Sequence, residues 1–334
     1  MKAVGYERCL PVTEPQCLVD IELPKPVAVG RDMLVKVEAV SVNPVDTKIR
    51  KAVAPESDEF KILGWDVCGV VEAVGEQVTL FKPGDQVWYA GAINRSGCNA
   101  EYHLVDERIV AHKPASLDVV QAAALPLTAI TAWEMLFDRF GLTEASEGHL
   151  LVIGAAGGVG SIMIQLAKKL TKLKVIATAS RAESEQWVKA LGADYVIDHQ
   201  QAFAPQLQTL GLNHIEYVAG LTHTAQHLPA VVELIAPQGK FGVIDDPGTL
   251  DIMPFKRKSV SIHWEFMYTR SLFTTDDMIE QHHLLSKVAT LIDSGVLKTT
   301  LAQHFGAISA ANLIKAHTLI ESAQSRGKIV LSGF

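Results

Sequence analysis

Cysteine is scarce in this chain. Its 334 residues include four, Cys9, Cys17, Cys68 and Cys98, none of them in a C-x-x-C pair. A disulfide scaffold is therefore excluded, and reduced thiols in a cytoplasmic setting are expected. Long hydrophobic runs are missing too. No window reaches the roughly 18 consecutive apolar residues of a membrane helix, and the richest, Ala122 to Leu136, is broken by Pro126 and Glu134. The opening Met1-Lys2-Ala3-Val4-Gly5-Tyr6 has no long apolar stretch and no cleavage site, so no signal peptide is expected. Positive charge is not in excess: 30 Lys and Arg against 37 Asp and Glu give a net charge of −7. That balance argues against general affinity for nucleic acid or acidic membrane, and no basic recognition helix is present. There is no internal repeat and no low-complexity segment. What remains is a packed globular composition, 48% hydrophobic and 20% charged, at a length that suits two domains.

Residues 1 to about 112 read as strands and turns. Met33 to Val40 and Cys68 to Gly75 alternate as half-buried strands do, and Pro83-Gly84-Asp85 turns into a third strand at Gln86-Val87-Trp88. The turn density predicts a partly open β-barrel. Helix signals begin at Ser116-Leu117-Asp118 and run through Val119 to Leu136. From His149 the chain alternates strands (149–153, 174–178, 195–197, 214–218, 239–244, 259–264) with helices (161–169, 184–191). This βαβ series predicts a doubly wound parallel sheet, and the fold class is α/β. Helices over 277–293 and 310–322 and a strand at 329–331 form a tail expected to pack back on the first part. The expected division is 1–124 with 265–334, and 125–264.

The most informative stretch is Gly154-Ala155-Ala156-Gly157-Gly158-Val159-Gly160, between a strand and a helix. Glycines there let the backbone approach a pyrophosphate, and the helix N-terminus offers free N–H groups. Gly154, Ala156, Gly157, Gly158 and Val159 are the candidate phosphate-binding residues. A tight turn without ligand is the alternative. The next strand ends at Ala179-Ser180-Arg181. An NAD site places Asp or Glu here for the ribose 2′-hydroxyl. Ser180 and Arg181 instead suit a 2′-phosphate, so NADP(H) is expected; a solvated turn arginine is the alternative.

Together with the glycine loop, five segments carry a family resemblance over essentially the whole chain: Ser41-Val42-Asn43-Pro44-Val45-Asp46, Gly64 to Val71, Phe81 to Val87, Ala123 to Ala129, and Arg326-Gly327-Lys328-Ile329-Val330-Leu331. The chain resembles the medium-chain dehydrogenase/reductase superfamily, within it the quinone oxidoreductase (zeta-crystallin-like) branch and the zinc-type alcohol dehydrogenase-like proteins. His263 to Arg270 resembles the latter in particular. The resemblance implies a GroES-like barrel, a Rossmann domain, a cofactor in the cleft between them, and a homodimer paired through strands near 259–264.

The family name raises the question of zinc. Zinc alcohol dehydrogenases offer Cys, a His-Glu pair and a second Cys or Asp. Here the first position looks like Asn43, and Gly-His-Glu reads Gly64-Trp65-Asp66; neither Asn nor Trp suits zinc. The structural zinc lobe needs four cysteines and only Cys98 is nearby. Asp46, Asp66 and Cys68 remain as ligand candidates, but no metal is expected. His223-Thr224-Ala225-Gln226-His227 has metal-ligand spacing without the Glu of H-E-x-x-H, and a solvated turn is expected.

Without a Lewis acid, the expected reaction is hydride transfer from NADPH to a quinone or α,β-unsaturated carbonyl, a small electrophile already activated. Asn43 and Tyr89 are candidate oxyanion donors; a turn cap and barrel core are their alternatives. Asp46 and Asp66 could position ribose or water. By resemblance Thr128 approaches the nicotinamide; a backbone-bonded helix threonine is the alternative. Gly220, Val243 and Ile244 lie at strand ends where ligands bind. Lys328 could reach the cofactor or be solvated. Trp65, Asp66, Trp264, Phe266 and Met267 are candidate substrate-pocket residues, although aromatics are more often core. A zinc-dependent alcohol dehydrogenase and a non-catalytic NADPH-binding sensor or structural protein are the competing readings.

Overall fold

The computed structural model describes residues 1–56 and 59–334, in two compact units, Met1–Ile130 with Tyr268–Phe334, and Thr131–Met267. The first change of unit falls later than position 124 because the helix Pro126–Trp133 begins in one unit and ends in the other. No helix among the described residues is long and apolar enough to cross a membrane.

Strands are numbered along the chain: β1 Lys2–Tyr6, β2 Val19–Glu22, β3 Asp32–Val42, β4 Lys61–Ile62, β5 Asp66–Val74, β6 Gln86–Ala90, β7 Tyr102–Asp106, β8 Val110–His112, β9 His149–Ile153, β10 Lys174–Thr178, β11 Tyr195–Ile197, β12 Ile215–Gly220, β13 Ile235–Val243, β14 Ser261–Trp264, β15 Leu301–His304 and β16 Lys328–Ser332. The first unit carries the GroES-like sheet, in the order β15-β16-β3-β5-β6-β8 with β7 also paired to β3. β3 reaches so many partners because it is 11 residues long and its pairing with β5 shifts register twice, near Leu34 and Val37, which bends it. A region expected to be all strands and turns also contains the helix Pro44–Ala52. Its start is encoded by Asn43 as N-cap, Pro44 at the first helical position and Asp46 three residues past the cap, a capping box.

The second unit is a parallel sheet in the order β11-β10-β9-β12-β13-β14, a doubly wound arrangement. Its strands are buried on both faces: Leu151, Ile153, Ile176, Val218 and Phe241 form one core cluster with helix residues Phe203, Leu207 and Val231. The order of successive strands reverses between the parallel neighbours β9 and β12, so the crevice at their carboxyl ends is where such sheets bind ligands.

Candidate functional site

In the first unit, sheet register gathers a group of charges. Ser41 on β3 stands opposite Asp66 on β5, and Val42 stands opposite Ile329 on β16. Lys328 and Asn43, one residue beyond each of these, therefore meet Asp66 at one end of the sheet. The Asp66 carboxylate accepts the Leu127 N–H at 2.7 Å on Oδ1. Its Oδ2 accepts the Ser41 hydroxyl at 2.8 Å, the Asn43 Nδ2–H at 2.8 Å and the Lys328 ammonium at 3.0 Å. Leu127 is at the start of the helix Pro126–Trp133, where N–H groups lack helical partners, so Asp66 also closes that terminus. The Asn43 N–H donates to Asp46 Oδ2 at 2.6 Å, while Asp46 Oδ1 is buried with no hydrogen-bond partner. Burial pushes the Asp46 carboxyl up to about 7, against the opposing pull of the Asn43 N–H and Lys328.

Several expectations change here. Lys328 is 3% exposed, neither solvated nor free to reach a cofactor. An ammonium has three protons, and this one has three acceptors: Val42 O, Asn43 Oδ1 and Asp66 Oδ2. Asn43 keeps its capping role, and both ends of its amide are bonded, so it is not an available oxyanion donor. Thr128 donates its hydroxyl proton to Leu125 O at 3.0 Å, the helix-backbone alternative. Tyr89 lies opposite Val67, on the other face of the sheet from Asp66. It stacks on His103 and bonds to its Nδ1 at 2.9 Å, while His103 Nε2 meets Ser96 O at 3.0 Å. Burial holds His103 down to about 4, so the ring is neutral, and the network makes Tyr89 the donor to it. Trp65 is core rather than pocket wall. It is fully buried, donates its indole N–H to Ala92 O and packs edge-on against Tyr268.

The ligand candidates form no zinc set. Among the described residues no three His, Cys, Asp or Glu side chains group as metal ligands. Asp66 Oδ2 and Asn43 Oδ1 meet Lys328, Asp66 Oδ1 meets the Leu127 N–H, and one Asp46 oxygen is open. Cys98 donates to Asp66 O, and burial pushes its thiol well above the usual range. The thiol of Cys68 is pushed up to about 12 by burial, and the charges that act on it are Lys113, Glu38 and Asp118 rather than this group.

In the second unit the glycine loop joins β9 to the helix Gly158–Leu170, with Gly157 as N-cap. Gly154 has φ +84°, a left-handed conformation that favours glycine, and donates its N–H to Thr178 Oγ1 at 3.0 Å. A Cβ on Gly160 would sit 2.4 Å from Ala155 O, so only glycine lets the helix approach the strand this closely. Gly154, Ala156, Gly157, Gly158 and Val159 remain partly accessible, and the first-turn N–H groups have no helical partner. Ser180 and Arg181 follow β10, the former half-buried and the latter exposed. Gly220 and Val243 end β12 and β13, and Ile244 donates its N–H to Gly220 O. These residues all lie at the carboxyl edge of the sheet.

One histidine here, His199, escaped sequence reasoning, and another, His227, lies elsewhere than expected. His199, just past β11, places Nε2 3.4 Å from Ser180 Oγ; burial and the nearby Arg181 and His223 push its pKa down. His227 is not in a solvated turn. It is buried in the helix Thr224–Leu234 and stacks on Phe203. His223 is the exposed N-cap of that helix, so the pair does not form a metal site. Neighbouring strands in a parallel sheet end side by side, and that rule was the signal that could have found His199.

Along 264–267 exposure alternates. Trp264 is 57% and Phe266 45% exposed, whereas Glu265 and Met267 point inward. Glu265 bonds Arg139 at 2.8 Å; burial and the neighbouring Glu134 carboxylate push its pKa up.

Two family profiles match the chain: the alcohol dehydrogenase GroES-like domain over residues 30–115 and the zinc-binding dehydrogenase over 191–331. A zinc-type alcohol dehydrogenase-like protein of Staphylococcus aureus is 40% identical over 99% of this chain and 100% of its own. The crystal structure of a candidate zinc-dependent alcohol dehydrogenase from Rhizobium etli CFN 42 is 54% identical, with TM-score 0.95 over 100% of this chain and 98% of that one. A quinone oxidoreductase of Pseudomonas syringae (TM-score 0.84, 99% of each chain) and a mycobacterial protein solved with NADPH (0.83, 99% and 98%) are each 25% identical.

Proposed function

The chain belongs to the zinc-type alcohol dehydrogenase-like family of the medium-chain dehydrogenase/reductase superfamily and is an oxidoreductase; on that premise we propose that it is an NADPH-dependent, metal-independent reductase of quinones or α,β-unsaturated carbonyls. Bound NADPH supplies a hydride. The first-turn N–H groups of Gly158 and Val159 suit its pyrophosphate, and the Gly160 approach to Ala155 fits a dinucleotide loop. Arg181, with the Ser180 hydroxyl, pairs with the 2′-phosphate; no carboxylate at 179–181 repels it. His199, whose Nε2 is 3.4 Å from the Ser180 hydroxyl, adds a second nitrogen near that phosphate.

The observation that carries the acceptor class is the use of Asn43 and Asp66 oxygens by Lys328. With those donors occupied, no Lewis acid polarises the carbonyl, and the acceptor must bring its own activation. Asp46, with its carboxyl pushed up to about 7 by burial, is about half protonated at neutral pH and is the candidate acid. Trp264 and Phe266 offer exposed apolar surface either for the substrate or for the β14 edge of a second copy, and we place the homodimer contact at that edge. The protein acts in the cytoplasm on a small molecule, without nucleic acid or membrane.

One observation favours a second reading, an NADPH-binding protein without turnover: the donor protons of Asn43, Tyr89 and Thr128 are all committed to other groups. Steady-state oxidation of NADPH against a panel of quinones and enones separates the two. Tight NADPH binding with no turnover would favour the binder.

A further inference from the structure

Sheet register gathers three imidazoles in the unit Thr131–Met267. β10 and β11 run parallel, and Thr178 stands opposite Ile197. Ser180 and His199 each lie two residues beyond that pair, so they end side by side, with Ser180 Oγ 3.4 Å from His199 Nε2. Gln206 holds the turn that carries His199: its Oε1 accepts the Asp198 N–H at 2.7 Å, and its Nε2 donates to Asp198 O at 2.9 Å. The other two imidazoles come from the helix Thr224–Leu234 and its cap. His227 sets its ring edge-on to His199, with centroids 6.4 Å apart, and stacks on Phe203. His223 is exposed at the N-cap and bonds Thr222 Oγ1. Burial lowers the pKa of His199 most; His223 and Arg181 lower it further, and Asp198 opposes them. The Asp198 carboxylate also accepts the Gln200 N–H at 2.8 Å, so its charge is shared with its own turn. His227 is held down by burial and by His199 and His223. Both rings are therefore neutral until an anion arrives. A phosphate beside Arg181 reverses the balance, because it draws a proton onto the nearest ring, and the imidazolium then donates a charge-assisted hydrogen bond.

We propose that His199 is a specificity-determining residue that recognises the cofactor's 2′-phosphate as an imidazolium, taking its proton from solvent as the phosphate binds, so that preference for NADPH over NADH falls as pH rises. The inference rests on the 2′-phosphate reading of Ser180 and Arg181 and adds a protonation step to it. The sign is diagnostic. A phosphate monoester has a second pKa of about 6, and binding to cations expels that proton, which strengthens binding as pH rises. Above about pH 7 the proton is already gone. What remains is the imidazole, whose proton uptake strengthens binding as pH falls.

The test measures dissociation constants of NADPH and NADH with the full chain, by fluorescence titration between about pH 7 and 8.5. Proton uptake is read by calorimetry in two buffers of different ionisation enthalpy. Wild type, His199→Gln and His199→Lys are compared, with folding read by circular dichroism. In wild type the NADPH-to-NADH affinity ratio should fall at least about 3-fold across that range, where one full proton gives about tenfold per pH unit. NADPH should bind with net proton uptake and NADH without it. His199→Gln, which keeps a donor but no charge, should lose the slope and about 10-fold in NADPH affinity near pH 7. His199→Lys, a cation throughout the range, should keep the preference for NADPH without the slope. A wild-type ratio independent of pH overturns the role of His199 and leaves the 2′-phosphate reading standing. So does a slope that survives in either folded variant, since another group then carries the proton. Wild type that binds NADH as tightly as NADPH at every pH overturns both.

Discussion

In the unit Met1–Ile130 with Tyr268–Phe334, the charged groups Asp66 and Lys328 lie buried and bonded to one another, with the buried Asp46 linked to them through Asn43. In Thr131–Met267, the polar groups at the strand ends, Ser180, Arg181, His199 and His223, are half-buried or exposed. Apart from Asp46 Oδ1, the first set is satisfied by folding alone, and Asp66 and Lys328 are held by groups from distant parts of the chain. The second set is only partly satisfied, with helix N–H groups beside it that want an anion. Buried and closed charge serves position, whereas open charge at the carboxyl edge of a parallel sheet serves a ligand.

The largest effect should come from breaking the closed set. Lys328→Met leaves Asp66 buried without its cation and should cost about 3–5 kcal/mol of stability in zinc-free buffer, read by urea unfolding. A loss under 1 kcal/mol would mean that water reaches Asp66 and the group is not closed.

The next effect depends on pH. Asp46 has a folded pKa near 7 against an ordinary 3.8. The folded state therefore holds this proton more tightly than the unfolded chain, and stability falls as pH rises from about 4 through 7, then levels. The full cost is on the order of 4 kcal/mol. Glu265, also raised, acts in the same direction. Asp46→Asn should remove the Asp46 part, so its stability advantage over wild type should grow between pH 5 and 8. A difference independent of pH would contradict the assignment.

In the open set, Gly160→Ala forces a methyl against Ala155 O and should cost about 1–3 kcal/mol. It should also weaken NADPH binding, measured by fluorescence titration. Unchanged binding would remove the glycine loop from the cofactor site. Arg181→Asp should raise the KM for NADPH at least about 10-fold more than that for NADH, about 1.4 kcal/mol, with stability unaffected. Equal effects on both would sink the 2′-phosphate assignment.

Periodic patterns made much of the second unit legible. The strands 149–153, 174–178 and 195–197 fall where apolar runs put them. The helix Thr224–Leu234 was hidden by Pro229 inside it, and Pro44–Ala52 by its position among strands. For the site, local motif and chain position located the glycine loop and Arg181. The fates of Lys328, Asn43, Tyr89 and Trp65 depend on which strands pair in what register. Lys328 and Asp66 are 262 residues apart, and no local pattern joins them. Whether a polar side chain is spent on a neighbour or left for a ligand is a property of packing, which composition and spacing do not carry.

The most direct measurement is the oxidation of NADPH and NADH by metal-analysed protein offered quinones, enones, aldehydes and alcohols. Turnover of quinones or enones, faster with NADPH, is expected at well under one zinc per chain. Activity on alcohols or aldehydes that rises and falls with zinc content would contradict it.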